Sequence, residues 1–178
     1  MSGPSIEQDG LPRGVRLGVD VGDVRVGLAR SDLDGMIATP VETLERDTAT
    51  RRVLETALEL DARVIMVGLP RSLSGAEGAA AEKARAFADE LVTLLEASGT
   101  QAEVRLIDER LTTVSAHKAL HSSGRRGRRH RQVVDQVAAV MILQQALDLE
   151  RSSGRRGGEL VESETRPVRQ DRTDEEDR

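Results

Sequence analysis

Residues Gly14 to Ser31 read G-V-R-L-G-V-D-V-G-D-V-R-V-G-L-A-R-S, and their alternation admits little except a β-hairpin. Val15, Leu17 and Val19 alternate with Arg16, Gly18 and Asp20. Beyond Gly22-Asp23, Val24, Val26 and Leu28 alternate with Arg25, Gly27 and Ala29. Period-2 patterning on both sides of a Gly-Asp pair is a hairpin signal, and glycine in the first turn position suits a type II′ turn. A two-residue turn sets Val21 opposite Val24, Asp20 opposite Arg25, and Gly18 opposite Gly27. One face is then apolar, and the other carries a carboxylate, an arginine and two glycines. Glycine weakens a strand interior, so paired glycines mark a surface that something approaches closely.

The rest of the chain builds on this hairpin. Met36 to Glu45 reads as a third strand, with Pro40 at an edge or bulge. Asp47 or Thr48 caps a helix carrying Val53, Leu54, Ala57 and Leu58 at helical spacing. Arg63 to Val67 is a continuous apolar strand, of the kind buried on both faces of a parallel sheet, and Gly68-Leu69-Pro70 ends it. Ala76 to Ala97 is a long helix with Ala84, Phe87, Ala88, Leu91 and Leu95 on one stripe, stopped at Ser98-Gly99. Glu103 to Glu109 is the next strand, and Thr112 or Thr113 caps a short helix through about Leu120. Gln132 to Leu149 is apolar nearly all round and therefore reads as buried. Three antiparallel strands followed by parallel ones predict an α/β mixed five-stranded sheet with helices on both faces. Residues 1–13 read as a disordered lead-in, 14–150 as the folded domain, and 151–178 as a disordered acidic tail.

Asp135 stands out within its apolar helix. A buried lone carboxylate costs several kcal/mol, roughly, unless it is paired or binds a metal. Ala138 and Ala139, at i+3 and i+4, let the helix sit close to a sheet, and the Gly18/Gly27 surface can accept it. Asp135 then lands near Asp20. The bland reading of Asp135 is an acid at a helix N-terminus, and of Asp20 a turn acid paired with Arg25. A third acid comes from Asp108-Glu109 at a strand's carboxyl end, where ligand sites gather in open α/β sheets. Strand parity sends Asp108 and Glu109 to opposite faces without saying which turns inward. The other acid would be structural, pairing Arg110. Carboxylates without His or Cys suit Mg²⁺ or Mn²⁺, and two such ions can activate water and stabilise the leaving oxygen of a phosphoryl transfer.

D-V-G-D-V-R-V-G-L-A (20–29), V-G-L-P (67–70), D-E-R-L-T-T (108–113) and V-D-Q-V-A-A-V-M-I-L-Q (134–144), in this order and spacing, together resemble the YqgF family. The resemblance covers about Gly14 to Glu150. Its members are RNase H-like proteins described as Holliday-junction resolvases and as nucleases of the pre-16S rRNA 5′ end. The resemblance implies an RNase H fold and an acidic site made of Asp20, Glu109 and Asp135, as both metal ligands and catalytic residues. It thereby chooses Glu109 over Asp108.

Six Lys/Arg and no acid lie between Lys118 and Arg131, in a chain whose net charge is −5. Arg125, Arg126, Arg128, Arg129 and Arg131, just before the Asp135 helix, suit bidentate contact with phosphates. Arg25 and Arg110 are further candidate nucleic-acid contacts. The bland reading of the run is a solvated charged loop. Phe87 is the only aromatic, which argues against base stacking on an aromatic platform. His117, His121 and His130 lack metal-ligand spacing. With no cysteine, no apolar run of membrane length and no signal-peptide core, the chain reads as cytoplasmic. The expected activity is metal-dependent phosphodiester hydrolysis on structured RNA or branched DNA, with a pre-ribosomal particle as a partner. The competing reading is a catalytically weak nucleic-acid-binding assembly factor. An actin-like phosphotransferase shares D-x-G but needs a second large domain.

Overall fold

The structure, a computed structural model, describes residues 10–111 and 128–163. Its elements are strands β1 (Arg16–Val21), β2 (Arg25–Ser31) and β3 (Ala38–Glu45), helix α1 (Ala49–Glu59), β4 (Val64–Leu69), α2 (Ala79–Ala97), β5 (Glu103–Asp108), α3 (Arg128–Ser153) and the two-residue β6 (Glu159–Leu160). The expected helix after Thr112 lies outside the described residues, as do Arg125 and Arg126.

The sheet has six strands in the order β3-β2-β1-β4-β5-β6. β1, β2 and β3 are antiparallel, while β1, β4 and β5 run parallel. The sixth strand corrects the five-stranded expectation. β6 pairs antiparallel with β5, and it comes from the segment read as a tail. Helix α3 likewise runs on to Ser153, so ordered structure extends past residue 150. Gly and charged residues hid this strand, since two residues carry no periodicity. β3 is one of the two edge strands, and its pairing with β2 shifts beside Pro40, between Leu28 and Ala29. That is where a residue without an N–H is tolerated.

The hairpin register differs from the two-residue-turn expectation. Gly22 donates to the Arg25 carbonyl at 2.9 Å, closing a wider loop. Asp20 therefore faces Gly27, Gly18 faces Ala29, and Val21 faces Val26. The shift is by two residues, not one, and so each side chain keeps its predicted face.

Helices α1 and α2 cover one face and α3 the other. The first layer buries Leu17, Val19, Val26, Leu28, Ile65 and Val67 against Phe87, Leu91 and Leu95 of α2. Each such large side chain contributes about 1.5–3 kcal/mol of burial. Gly99, at φ 78°, ends α2 as the left-handed residue that glycine adopts without penalty. The second layer packs Ala29, Val64, Met66 and Ile107 under Ala138, Ala139, Ile142, Leu143, Ala146 and Leu147. Helix α3 is thus buried along one stripe rather than all round, and Val133 is exposed.

Three glycines on adjacent strands set the height of α3. A Cβ on Gly18 would lie 2.6 Å from Leu143 Cβ and 2.9 Å from the Ala139 carbonyl oxygen. A Cβ on Gly27 would lie 2.1 Å from the Asp135 carbonyl oxygen. Gly68, expected in a strand-ending loop, lies inside β4, and its Cβ would meet Ile142 Cδ1 at 2.6 Å. The helix backbone rests on the sheet because no side chain intervenes.

Candidate active site

β1, β4 and β5 are parallel, so their carboxyl ends share one edge of the sheet, and Asp20 and Glu109 stand at the ends of β1 and β5. Asp20 is buried, 3% exposed, and by strand alternation it shares Gly18's face, under α3. Glu109 opens a single 3₁₀ turn, Glu109–Leu111, directly after β5. It too is 3% exposed. Its Oε1 would be 2.6 Å from a Cβ on Gly68, so the missing side chain of Gly68 is the space its carboxylate occupies. Asp135 arrives from above, its backbone crossing Gly27, the register partner of Asp20. The turn of α3 that carries Asp135 therefore stands over the strand pair that carries Asp20, and Glu109 reaches the same face across β4.

Asp135 faces a cation of the protein itself. Arg25 Nε stands 3.5 Å from Asp135 Oδ2, with the two side chains 12% and 25% exposed. Arg25 shares a face with Asp20 and Gly27, but the wider hairpin loop removes it from direct opposition to Asp20. The wider loop brings Arg25 into an ion pair with Asp135 of the helix. Among the described residues, no three His, Cys, Asp or Glu side chains are gathered closely enough to hold a metal ion. By donor chemistry Asp20, Glu109 and Asp135 do suit one: all are hard carboxylate oxygens, the set that Mg²⁺ and Mn²⁺ prefer.

Asp108 turns away from these acids. It accepts from Arg110 Nη2 at 2.7 Å and from the Arg110 backbone N–H at 2.9 Å, and Arg71 Nη1 stands 3.4 Å from it. The Arg110 guanidinium holds the Asp108 carboxyl below the usual carboxylate range, against the opposing effect of its partial burial. This is the structural acid that parity required of one member of the pair. The Arg110 guanidinium lies against Gly75, where a Cβ would be 3.0 Å from Nη1.

Arg71 was not singled out in the sequence. It joins Asp108 to Glu77, and Arg85 joins Glu77 to Glu159 of β6. This chain of alternating charges pins the loop after β4, helix α2 and β6 around the end of β5. Its members come from four separate segments, so no local pattern could have shown it. The basic run is only partly visible. Arg128, Arg129 and Arg131 lie in the first turns of α3, the element that carries Asp135.

The chain matches the family RuvX, described as Holliday junction resolvase, over residues 14–149. A protein of Clavibacter sepedonicus named "Putative pre-16S rRNA nuclease" is 53% identical over 152 residues, covering 83% of this chain and 91% of the relative. Relatives of the same name from Streptomyces avermitilis and a Nocardioides species are 51% and 52% identical over 156 and 155 residues, covering 86% and 84% of this chain and 97% of each relative. Among solved structures, T. thermophilus RuvC in complex with a Holliday junction substrate superposes with a TM-score of 0.50 at 17% identity. It covers 83% of this chain and 99% of RuvC. At that identity the likeness speaks for the fold alone, an RNase H-like one.

Proposed function

We propose that this chain, which belongs to the RuvX family, is a metal-dependent nuclease that trims the 5′ end of pre-16S rRNA, with Asp20, Glu109 and Asp135 as its catalytic carboxylates. The observation that carries the reading is the burial of Asp20 and Glu109 on one face at the carboxyl edge of the parallel strands. Sinking two carboxylates under a helix costs folding free energy that their partners must offset. A nuclease uses them. The close similarity to relatives named for pre-16S rRNA supports the choice of substrate.

Asp20, Glu109 and Asp135 would hold Mg²⁺ or Mn²⁺, as one ion or two. The metal, when bound, supplies Lewis acidity to a phosphodiester and a water of lowered pKa. The chain's own part is to fix the carboxylates. Gly68 leaves Glu109 its space, and Gly27 lets the Asp135 turn descend onto the sheet. Arg25 and Arg110 stand at the same edge as cations for strand phosphates. Arg125, Arg126, Arg128, Arg129 and Arg131 would lengthen that contact along the polymer and give it strong salt dependence. A substrate of this kind would be met in the cytoplasm, on the pre-ribosomal particle. Among the described residues no helix is long and apolar enough to cross a membrane.

A second reading, resolution of branched DNA, is favoured by the description of the RuvX family. Both readings are tested together. A labelled precursor-rRNA 5′ leader and a four-way DNA junction are incubated with wild type and Asp20→Asn, in Mn²⁺, Mg²⁺ or EDTA. Metal-dependent cutting of the RNA, lost in the variant, is the expected result. Cutting of the junction alone would move the assignment to DNA. Salt-sensitive binding with no cutting of either would replace the nuclease with an assembly factor.

A further inference from the structure

The ion pair between Arg25 and Asp135 has a consequence for how the acidic site loads. We infer that Arg25 is an internal latch: its guanidinium occupies Asp135 in place of a divalent cation, and the third carboxylate is released only when Arg25 is drawn onto a phosphate of the bound strand. The inference rests on reading Asp20, Glu109 and Asp135 as a cation site, and it deepens that reading by coupling the metal to the substrate.

Three observations support it. First, Arg25 Nε lies 3.5 Å from Asp135 Oδ2, and both side chains are mostly buried, so solvent screens the pair less than an exposed one. Second, Asp20 and Glu109 are buried on the sheet face that α3 covers, the face from which Arg25 rises. Asp135 carries a cation of the protein itself. Third, Arg25 is fixed at its root by the hairpin and reaches Asp135 through the length of its side chain. Its carbonyl accepts from Gly22 N–H, and its backbone lies in register with Glu45 of β3. The guanidinium rises from the same face as Asp20, at the edge where a strand would lie.

A divalent cation and a guanidinium cannot share one carboxylate without like-charge repulsion. Metal binding and the Arg25–Asp135 pair therefore compete. A phosphate that accepts Arg25 removes the competitor, and the ion in turn frees Arg25 for phosphate. By linkage each then raises the other's affinity by the same factor.

The test measures Mn²⁺ alone, by titration with electron paramagnetic resonance of the free ion, on the full chain without nucleic acid. Arg25→Gln should bind Mn²⁺ roughly tenfold more tightly than wild type, within the range such couplings span. Arg25→Lys, which keeps a cation at the position, should stay within about twofold of wild type. In the Asp135→Asn background, Arg25→Gln should give no gain. An unchanged or weaker affinity in Arg25→Gln overturns the latch. So does a gain that persists without the Asp135 carboxylate, because it would be a diffuse effect of removing a positive charge. Asp20→Asn and Glu109→Gln separate the two levels. If neither weakens Mn²⁺ binding, the cation site itself falls and the latch falls with it. If they weaken it while Arg25→Gln changes nothing, only the latch is lost.

Discussion

The backbone carbonyl oxygen of Asp135 occupies the place where a side chain on Gly27 would begin, since a Cβ there would lie 2.1 Å from it. The obstacle is backbone, not the end of a flexible side chain, and so it cannot swing aside. Gly27→Ala must lift the first turns of α3 from β2. The expected cost is about 3 kcal/mol, the upper range for overpacking a tight contact. Gly78→Ala is the matched control, because a Cβ at Gly78 meets nothing within 4 Å. Urea denaturation of the two variants compares them directly. Equal midpoints would show that the helix does not rest on Gly27 in solution.

Gly68 makes the opposite case. Its added Cβ would meet two side-chain ends, Glu109 Oε1 and Ile142 Cδ1, each at 2.6 Å. Both ends can yield, so Gly68→Ala should lose only about 1 kcal/mol of stability. The carboxylate that yields is the proposed catalytic one. A displacement of order 1 Å in a positioned group costs about 10²-fold in rate. Metal-dependent cleavage should therefore fall by roughly that factor in a protein that still folds. Cleavage at the wild-type rate would remove Glu109 from the chemistry.

The contrast between these glycines shows what the chain spells out locally. Gly18 and Gly27 announced themselves because each is a residue without a side chain on the polar face of a strict alternation, and the small residues Ala138 and Ala139 supplied the matching helix face. Even the wrong turn length did no harm to that reading, since a two-residue slip preserves parity. Gly68 was hidden because V-G-L-P reads equally well as the end of a strand. Arg25 was legible as a cation beside the site, but its partner was not. Asp20 or Asp135 depended on the hairpin loop, which closes through a bond from Gly22 to the Arg25 carbonyl. The pairing of Asp108 with Arg110 was legible, because the two are close in sequence. The bridges through Arg71, Arg85 and Glu159 were not, because their partners meet only after the sheet is built. The same holds for β6, which exists as a strand only because β5 offers it an edge.

Acid should loosen the loop between β2 and β3. Asp32 Oδ1 accepts the backbone N–H groups of Met36 at 2.8 Å and Ile37 at 2.9 Å. Partial burial pushes its pKa up, but the bonds from Ile37 and Met36 outweigh that and hold it below the ordinary value. A depressed folded pKa means stability that is fully present above the unfolded value near 4 and is lost as the pH falls through the folded one. Asp32→Asn keeps the shape and removes the charge, so it should cost about 1 kcal/mol at pH 7. The gap to wild type should close as the pH is lowered below about 4. Thermal denaturation of both proteins across this range measures the gap, and a difference independent of pH would assign the loss to something other than the charge.

The far end of α3 is held by a buried charge cluster that the expected domain boundary at residue 150 would cut. Glu150 Oε2 is 3.2 Å from Arg16 Nε at the start of β1, and Glu150 Oε1 is 2.7 Å from Arg156 Nη1. The three side chains are 4%, 6% and 7% exposed, in the order Glu150, Arg16, Arg156. Arg16 also donates to the carbonyl of Leu33 at 3.2 Å. Removing the Glu150 carboxylate takes the counter-charge from buried Arg16 and leaves Arg156 only the more distant Glu103, at 3.9 Å, and breaking such a buried pair costs about 3–5 kcal/mol. Glu150→Gln should show that loss in urea denaturation. A chain ending at residue 150 should also be destabilised, because it lacks Arg156 and β6. At a rise of about 1.5 Å per residue, Glu150 lies roughly 22 Å along α3 from Asp135. Mn²⁺ affinity should accordingly be the same in folded Glu150→Gln and in wild type. A loss of less than about 1 kcal/mol would place this pair with the weak surface bridges. A changed Mn²⁺ affinity would mean that the helix carries strain from one end of the molecule to the other.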